Sequence, residues 1–350
     1  MDSIFELIRY AKEHKASDLH ITVGKPPVVR IDGELVDVPA CEVITPDESK
    51  RLISLILGEK QERELLSQRD TDFAYSVDGL RLRINVYMQK GYRACAIRLL
   101  ADKIPTLDEL AHPPILKTLS MLNRGLVLLT GPTGSGKSTT LAAMIDYINV
   151  NKTAHIITVE DPIEYVHAHK SCVINQRELG EDTHSFEGAL RACLREDPDI
   201  ILVGEMRDLE TVKAAITAAE TGHLVLSTLH TMGAANTIDR IIDIFPPSQQ
   251  HQIRIQLADT LQGVITQQLL PCASGEGRIA ALEIMTKTDA ISNLIREGKT
   301  HQIPNSMQTG RAMGMQSMDV ALGALVKEGK ISMEQAKKRC VNEMELKRYI

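Results

Sequence analysis

The chain has 350 residues, of which 43% are apolar and 3% aromatic, and its formal net charge is −6. This length favours two domains, whereas the negative charge and the scarcity of aromatic side chains argue against nucleic acid as a partner. The six cysteines are scattered without a CxxC pair, which argues against a zinc knuckle or a disulfide framework and suits a reducing cytosol.

The N-terminal hundred residues are predicted to form a small α+β domain. The first segment, MDSIFELIRYAKEHKASD, has the mixed polarity of an amphipathic helix and not the apolar run of a signal peptide or a membrane span. Two short strands, interrupted at Gly24 and at two prolines, are expected in DLHITVGKPPVVRIDGEL. A helix follows in TPDESKRLISLIL, with Thr45 as its N-cap, Pro46 at its first position and Glu48 completing a capping box.

The segment LRLRINVYMQ, residues 80–89, alternates between apolar and polar side chains, which predicts a half-buried strand. Arg81 and Arg83 therefore share its polar face. That face is either simply solvated or presents two guanidinium groups to an anion or another subunit. The proline-containing segment ADKIPTLDELAHPP then predicts a linker at residues 101–114, between a first domain at 1–100 and a second at 115–350.

The second domain has the pattern of an α/β fold with a mainly parallel sheet. Its apolar runs GLVLLT, HIITVE, IILVG and LVLSTLH alternate with helical segments, as expected for strands that are buried on both faces.

The first of these runs continues as a glycine-rich loop and a helix, which matches the complete P-loop pattern in its required context. The loop backbone is expected to surround phosphate groups, with Lys137 at the β- and γ-phosphates and the Ser138 hydroxyl on Mg²⁺. This motif predicts a nucleoside-triphosphate site without identifying the base. The predicted nucleotide-binding residues are Gly131, Pro132, Thr133, Gly134, Ser135, Gly136, Lys137, Ser138 and Thr139.

Acidic residues end two of the predicted strands, at the sheet edge where α/β proteins bind ligands. Glu160 and Asp161 end one, and Glu205 ends the other. P-loop hydrolases usually have an Asp at the second strand end that helps to hold magnesium, but here Gly204 precedes Glu205. We expect Glu205 to orient or deprotonate the attacking water, while Ser138 and water hold the metal. Glu160 is a candidate catalytic residue and Asp161 a candidate metal ligand, and the division of roles between them stays open.

Two histidines lie at the ends of the predicted strand LVLSTLH, with His223 before it and His230 at its carboxyl end. His230 is expected at the carboxyl end, within reach of a γ-phosphate, and a structural hydrogen-bonded histidine is the alternative. His223 is expected at the opposite end, so the two side chains cannot bind one metal.

Together these segments resemble the type IV pilus retraction ATPases of the secretion ATPase superfamily, over nearly the whole chain. ASDLHITVGKPPVVRIDGEL resembles their PAS-like N-terminal domain, TGPTGSGKSTTLAAMI their Walker A motif and ITVEDPIE their Asp box. LRACLREDPDIILVGEMRD resembles their atypical Walker B motif, in which Gly-Glu is usual, and TGHLVLSTLHT resembles their His box. The resemblance implies a PAS-like domain and a RecA-like P-loop ATPase domain in a hexameric ring.

The resemblance also implies a motor that hydrolyses ATP with Mg²⁺ to drive type IV pilus retraction and twitching motility. Its partners would be the other subunits of a homo-hexamer and an inner-membrane platform protein. It would bind no nucleic acid and would be cytoplasmic, peripheral at the inner membrane through the pilus machine. Glu205 would be the catalytic carboxylate, and Arg81 and Arg83, with Arg98 as a further candidate, would lie near a neighbouring subunit's nucleotide.

One segment departs from the family pattern. Retraction ATPases carry AIRNLIRE in the C-terminal region, whereas this chain has AISNLIRE, with Ser292 in place of the first arginine. A paralogous retraction ATPase therefore stays an alternative. A pilus-extension or type II secretion ATPase is a second one, although many of those have a four-cysteine zinc insertion and only Cys272 lies in the corresponding region. A nucleic-acid motor and a non-hydrolysing ring are disfavoured by the charge and by the intact motifs.

Overall fold

The computed structural model describes residues 3–31, 33–100 and 103–350. Residues 1, 2 and 32 of the predicted first domain, and residues 101 and 102 of the predicted linker, lie outside the described residues. The chain divides into two compact units, one of Met1–Lys103 with Pro162–Tyr165 and one of Ile104–Asp161 with Val166–Ile350.

The first unit, in its described part, is an antiparallel sheet of six strands in the order β3-β2-β1-β6-β5-β4, with three helices. Apolar residues of the helices and of alternating strand positions form its core. The helices are α1 (Ile4–Glu13), α2 (Pro46–Ser54) and α3 (Glu59–Gln68), and the strands are β1 (Asp18–Ile21), β2 (Val28–Ile31), β3 (Glu34–Asp37), β4 (Asp70–Val77), β5 (Leu80–Gln89) and β6 (Tyr92–Leu99).

Two local predictions for this unit are confirmed. The Glu48 side chain accepts from the Thr45 N–H at 2.9 Å, and the Thr45 hydroxyl accepts from the Glu48 N–H at 3.3 Å, which completes the capping box of α2. Strand β5 has the expected bounds, and its alternate apolar residues are buried. The expectation of two strands before α2 was incomplete, because the exposed β3 pairs with β2 although it carries no periodic apolar signal.

The second unit contains a sheet of seven strands, among the described residues, in the order β13-β12-β7-β11-β10-β8-β9. Neighbouring strands are parallel except that β13 is antiparallel to β12. The strands are β7 (Gly125–Thr130), β8 (His155–Glu160), β9 (Val173–Glu178), β10 (Ile200–Val203), β11 (Leu224–Leu229), β12 (Leu261–Pro271) and β13 (Arg278–Thr286).

Helices cover both faces of this sheet. Along β7, Leu126 and Leu128 pack in one core with α7, whereas Val127 and Leu129 pack in another core with α5. The helices are α4 (Ile115–Ser120), α5 (Lys137–Asn151), α6 (Phe186–Cys193), α7 (Leu209–Glu220), α8 (Ala234–Asp243), α9 (Pro247–Thr260), α10 (Asp289–Arg296), α11 (Ile303–Thr309), α12 (Met318–Lys327), α13 (Met333–Lys337) and α14 (Glu343–Arg348), with 3₁₀ turns at Thr300–Gln302 and Arg311–Met313.

The four predicted strands of this sheet are all present, β7 and β8 with the predicted bounds. Because β7, β8, β10 and β11 run parallel, the loops that follow them lie at one edge of the sheet. That edge receives the glycine-rich loop, the acids after β8 and β10, and His230 after β11. The apolar runs predicted the four central strands but not β9, β12 or β13.

Candidate functional site

The glycine-rich loop between β7 and α5 has a backbone that only glycine adopts easily. Gly131, Gly134 and Gly136 have φ angles of 138°, 76° and 84°, in the left-handed region. A Cβ on Gly131 would also lie 2.3 Å from the main-chain oxygen of Gln267 on β12. The loop is therefore held close to the neighbouring strand at Gly131, where a side chain would force the two apart.

The residues of this loop fit an anionic ligand. The Lys137 ammonium is buried and donates to the main-chain oxygens of Gly131 at 2.7 Å and Pro132 at 3.1 Å. The Ser135 hydroxyl is buried and, among the described residues, has no hydrogen-bond partner. A phosphate group would satisfy both the ammonium and this hydroxyl. Ser138, in the first turn of α5, is half-buried.

The lysine of the loop is connected to the acid after β10 through one histidine. Lys137 Nζ lies 3.4 Å from His230 Nδ1, and His230 Nε2 lies 3.3 Å from Glu205 Oε1. Because an ammonium can only donate, Nδ1 accepts and Nε2 carries the proton donated to Glu205. Glu205 also pairs with Arg207, whose Nε lies 2.8 Å from Oε2. The arrangement places a carboxylate, 18% exposed, beside the phosphate-binding loop.

The close approach of strand β8 explains why residue 204 is a glycine. Its N–H donates to the main-chain oxygen of Val159 at 2.8 Å, and its own oxygen accepts from the Thr228 hydroxyl at 2.6 Å. A Cβ at this position would lie 3.2 Å from that Val159 oxygen and 3.3 Å from the Glu160 Cα. An aspartate here would push against the end of β8, which carries the other acids of the site.

Glu160 is held by two side chains of the sheet. Its Oε1 accepts from the Thr158 hydroxyl at 2.6 Å and from the Gln176 amide on β9 at 3.2 Å. Asp161, the next residue, is exposed. The two acids therefore differ: Glu160 has a fixed carboxylate, whereas Asp161 is open to solvent.

The predicted arginines belong to the first unit. Within that unit Arg81 Nε donates to the main-chain oxygen of Ile163 at 3.1 Å, and Arg83 Nη2 pairs with Asp72 at 2.6 Å. Arg98, opposite Arg83 across the β5–β6 pair, bonds Asp18 at 3.0 Å. The second unit brings the loop, Glu160, Glu205 and His230 to one edge of its own sheet.

His223 does not take part in this cluster. It precedes β11, and its Nδ1 lies 2.9 Å from the Ala218 main-chain oxygen and 3.2 Å from the Thr221 hydroxyl. These contacts are those of a structural histidine at the end of α7.

Several residues of the site were not singled out from the sequence. Gln267 Nε2 donates to the Ser135 main-chain oxygen at 2.6 Å, and its Oε1 accepts from the Thr140 hydroxyl at 2.8 Å. Arg207 and Gln176 contact the two acids. The GEMRD segment contains a signal for Arg207, since an arginine two residues after an acid can reach it, whereas Gln267 and Gln176 come from strands that the apolar pattern did not reveal.

The chain is similar along most of its length to proteins of pilus and secretion systems. The family described as Type II/IV secretion system protein matches residues 4–347. The type IV pilus retraction ATPase PilT of Pseudomonas aeruginosa is 49% identical over 96% of this chain and 97% of its own. A twitching motility protein of Neisseria gonorrhoeae is 44% identical over 97% of this chain and 91% of its own. The type IV pilus ATPase PilU of P. aeruginosa is 41% identical over 95% and 87%.

The fold is also similar to a solved structure. A crystal structure of the pilus retraction motor PilT with bound ADP superimposes with a TM-score of 0.93, at 49% identity, over 99% of both chains. Among the described residues, no helix combines the length and apolar character needed to cross a bilayer.

Proposed function

The chain belongs to the type II/IV secretion system protein family, and on this premise we propose that it is an ATP-hydrolysing motor that drives type IV pilus retraction. The observation that carries the hydrolytic part is the connection from Lys137 of the phosphate-binding loop through His230 to Glu205. The retraction part is supported by the full-length similarity to retraction ATPases.

In this proposal the residues of the second unit divide the reaction between them. The backbone of residues 131–139 and Lys137 bind the triphosphate, and Glu205 orients or deprotonates the attacking water. Bound Mg²⁺ would neutralise phosphate charge, with Ser138 as its protein ligand and Asp161 facing its water shell. His230 would couple the presence of the γ-phosphate to the position of Glu205, because it contacts both Lys137 and Glu205. Glu160 would position a water through its fixed carboxylate.

The assembly is a further part of the proposal. Residues 1–100 form a PAS-like domain, 101–114 a linker and 115–350 a RecA-like ATPase domain, in a homo-hexameric ring. Arg81 or Arg83 of one subunit then reaches the nucleotide of its neighbour. The ring is cytoplasmic and engages an inner-membrane platform protein of the pilus machine.

Because Ser292 stands where retraction ATPases have an arginine, a paralogous retraction ATPase is the second candidate function. The Ser292 hydroxyl is buried and donates to the Ala258 oxygen of α9 at 3.0 Å, while Arg296 pairs with Asp259. The serine therefore fixes α10 against α9 but offers no positive charge to a partner.

Complementation of a retraction-deficient strain tests the proposal, with twitching and surface pili as readouts. We expect the wild-type chain to restore twitching and Glu205→Gln not to restore it, at equal protein levels. Failure of the wild-type chain, together with full ATPase activity in vitro, would overturn the retraction role. Ser292→Arg is the matched variant: recovery of twitching only with that variant would favour the paralogous candidate.

A further inference from the structure

A chain of buried hydrogen bonds leads from the segment before α4 to the phosphate-binding loop. His112 Nε2 lies 2.9 Å from the Thr140 hydroxyl on α5, and that hydroxyl donates to Gln267 Oε1 at 2.8 Å. Gln267 Nε2 donates to the Ser135 main-chain oxygen at 2.6 Å. The His112, Thr140 and Gln267 side chains are all buried.

The donor and acceptor roles along this chain are fixed from one end. The Ser135 carbonyl can only accept, so the Gln267 amide turns its nitrogen to it and its oxygen to Thr140. The Thr140 hydroxyl has a single proton and gives it to Gln267, so it must accept from His112. His112 therefore carries a proton on Nε2, and a neutral donor at this position completes the chain of hydrogen bonds. Burial lowers the pKa of His112 to about 4, so this neutral donor persists at physiological pH.

The last link sets the orientation of a peptide group in the loop. A trans peptide points its C=O and the following N–H in opposite directions. Gln267 holds the Ser135 oxygen toward β12, so the Gly136 N–H points away from β12. Main-chain N–H groups of such loops are the groups that bind phosphate. The position of Gln267 is itself secured, because its main-chain oxygen lies against Gly131 and the neighbouring Thr266 hydroxyl bonds Thr130 at 2.8 Å.

The first link begins in a segment with a defined fold of its own. The Thr106 N–H donates to Glu109 Oε2 at 2.7 Å, the Glu109 N–H donates to the Thr106 hydroxyl at 3.1 Å, and the His112 N–H donates to the Leu107 oxygen at 3.0 Å. Leu107 is buried in the core that contains α5. His112 is therefore presented by a turn that is held by its own hydrogen bonds and by the burial of Leu107.

We propose that His112, Thr140 and Gln267 are positioning residues that connect the Thr106–His112 turn to the phosphate-binding loop and thereby set its affinity for ATP. This rests on the proposed role of the loop as the ATP site. A displacement of the turn removes the His112 N–H from the Thr140 hydroxyl, which can then rotate away from Gln267, and the Gln267 amide holds the 135–136 peptide less firmly. The turn belongs to the second unit, which begins at Ile104, so the relay connects the start of that unit to nucleotide binding.

Titration of the full-length protein with the slowly hydrolysed analogue AMP-PNP and Mg²⁺ tests the relay. Thr140→Val and His112→Phe should each weaken binding roughly three- to tenfold, the effect of about one hydrogen bond. His112→Gln, which keeps an N–H donor, should bind within about twofold of wild type. The variant that combines His112→Phe with Thr140→Val should bind no more weakly than Thr140→Val alone, because Thr140→Val already removes the hydroxyl that His112 contacts. In steady-state assays, KM for ATP should rise while kcat changes little.

Three results would overturn the relay: wild-type affinity in Thr140→Val, additive losses in the double variant, or equal losses in His112→Phe and His112→Gln. The last comparison also decides the matter when Thr140→Val does not fold. Lys137→Ala in the same titration separates the two proposals. Loss of binding there with wild-type binding in Thr140→Val refutes only the relay, whereas wild-type binding in Lys137→Ala refutes the ATP site itself.

Discussion

Replacing Gly204 by alanine should harm both the stability and the activity of this protein. The φ angle of Gly204 is not in the left-handed region, so the cost is steric. The added Cβ would meet the Val159 oxygen at 3.2 Å and the Glu160 Cα at 3.3 Å, and these backbone atoms must move by a few tenths of an ångström. Overpacking of this kind costs about 1–3 kcal/mol. The melting temperature should fall by about 2–4 °C for each kcal/mol.

The same movement displaces the carboxylate of Glu160. A misplacement of about 1 Å can cost about a hundredfold in rate, so a shift of a few tenths should lower kcat about four- to tenfold. Thermal unfolding and phosphate release measure the two effects. Gly58→Ala is the control, because the new Cβ meets only the flexible end of Gln61, and it should cost less than about 1 kcal/mol without affecting kcat. A Gly204→Ala protein as stable and active as wild type would refute this reasoning.

Two further predictions follow from buried groups of the second unit. Burial lowers the pKa of His112 from 6.5 to about 4, so its stabilising contribution is complete above pH 6.5 and decreases by up to about 3 kcal/mol as the pH falls to about 4. Denaturant unfolding of His112→Gln should be correspondingly less sensitive to pH over this range, and an unchanged pH dependence would contradict the burial argument. Thr158→Val removes the hydroxyl that holds Glu160 and should lower kcat about three- to tenfold while KM for ATP stays within about twofold. A raised KM at constant kcat would instead place Glu160 in nucleotide binding.

Local sequence signals predicted the parts of this fold that depend on neighbouring residues along the chain. The capping box at Thr45, the alternation along β5 and the apolar strands β7 and β8 are of this kind. Strand β12 was missed because the buried Gln267 and Gln268 interrupt its apolar run. Gln267, whose amide bonds the phosphate-binding loop, is thus one of the residues that prevented the prediction of β12 from the sequence.

The sequence predicted which residues lie at the site but not how their side chains contact one another. Residues that follow parallel strands could be assigned to one edge of the sheet, which brought Glu205 and His230 beside the loop. The distances between side chains could not be predicted, so the contact of His230 with both Lys137 and Glu205 comes only from the structure. The reason for Gly204 lies in β8, which is a neighbour in space and is more than forty residues away in sequence.

ATP turnover by Glu205→Gln tests the central claim most directly. We expect this variant to bind AMP-PNP with Mg²⁺ within about threefold of wild type, since Lys137 and the loop are unchanged. Its rate of phosphate release should fall about 10²–10⁴-fold, the usual contribution of a general base. Glu210→Gln, at an exposed carboxylate in the first turn of α7, should release phosphate at the wild-type rate. Hydrolysis by Glu205→Gln at the wild-type rate would contradict the account.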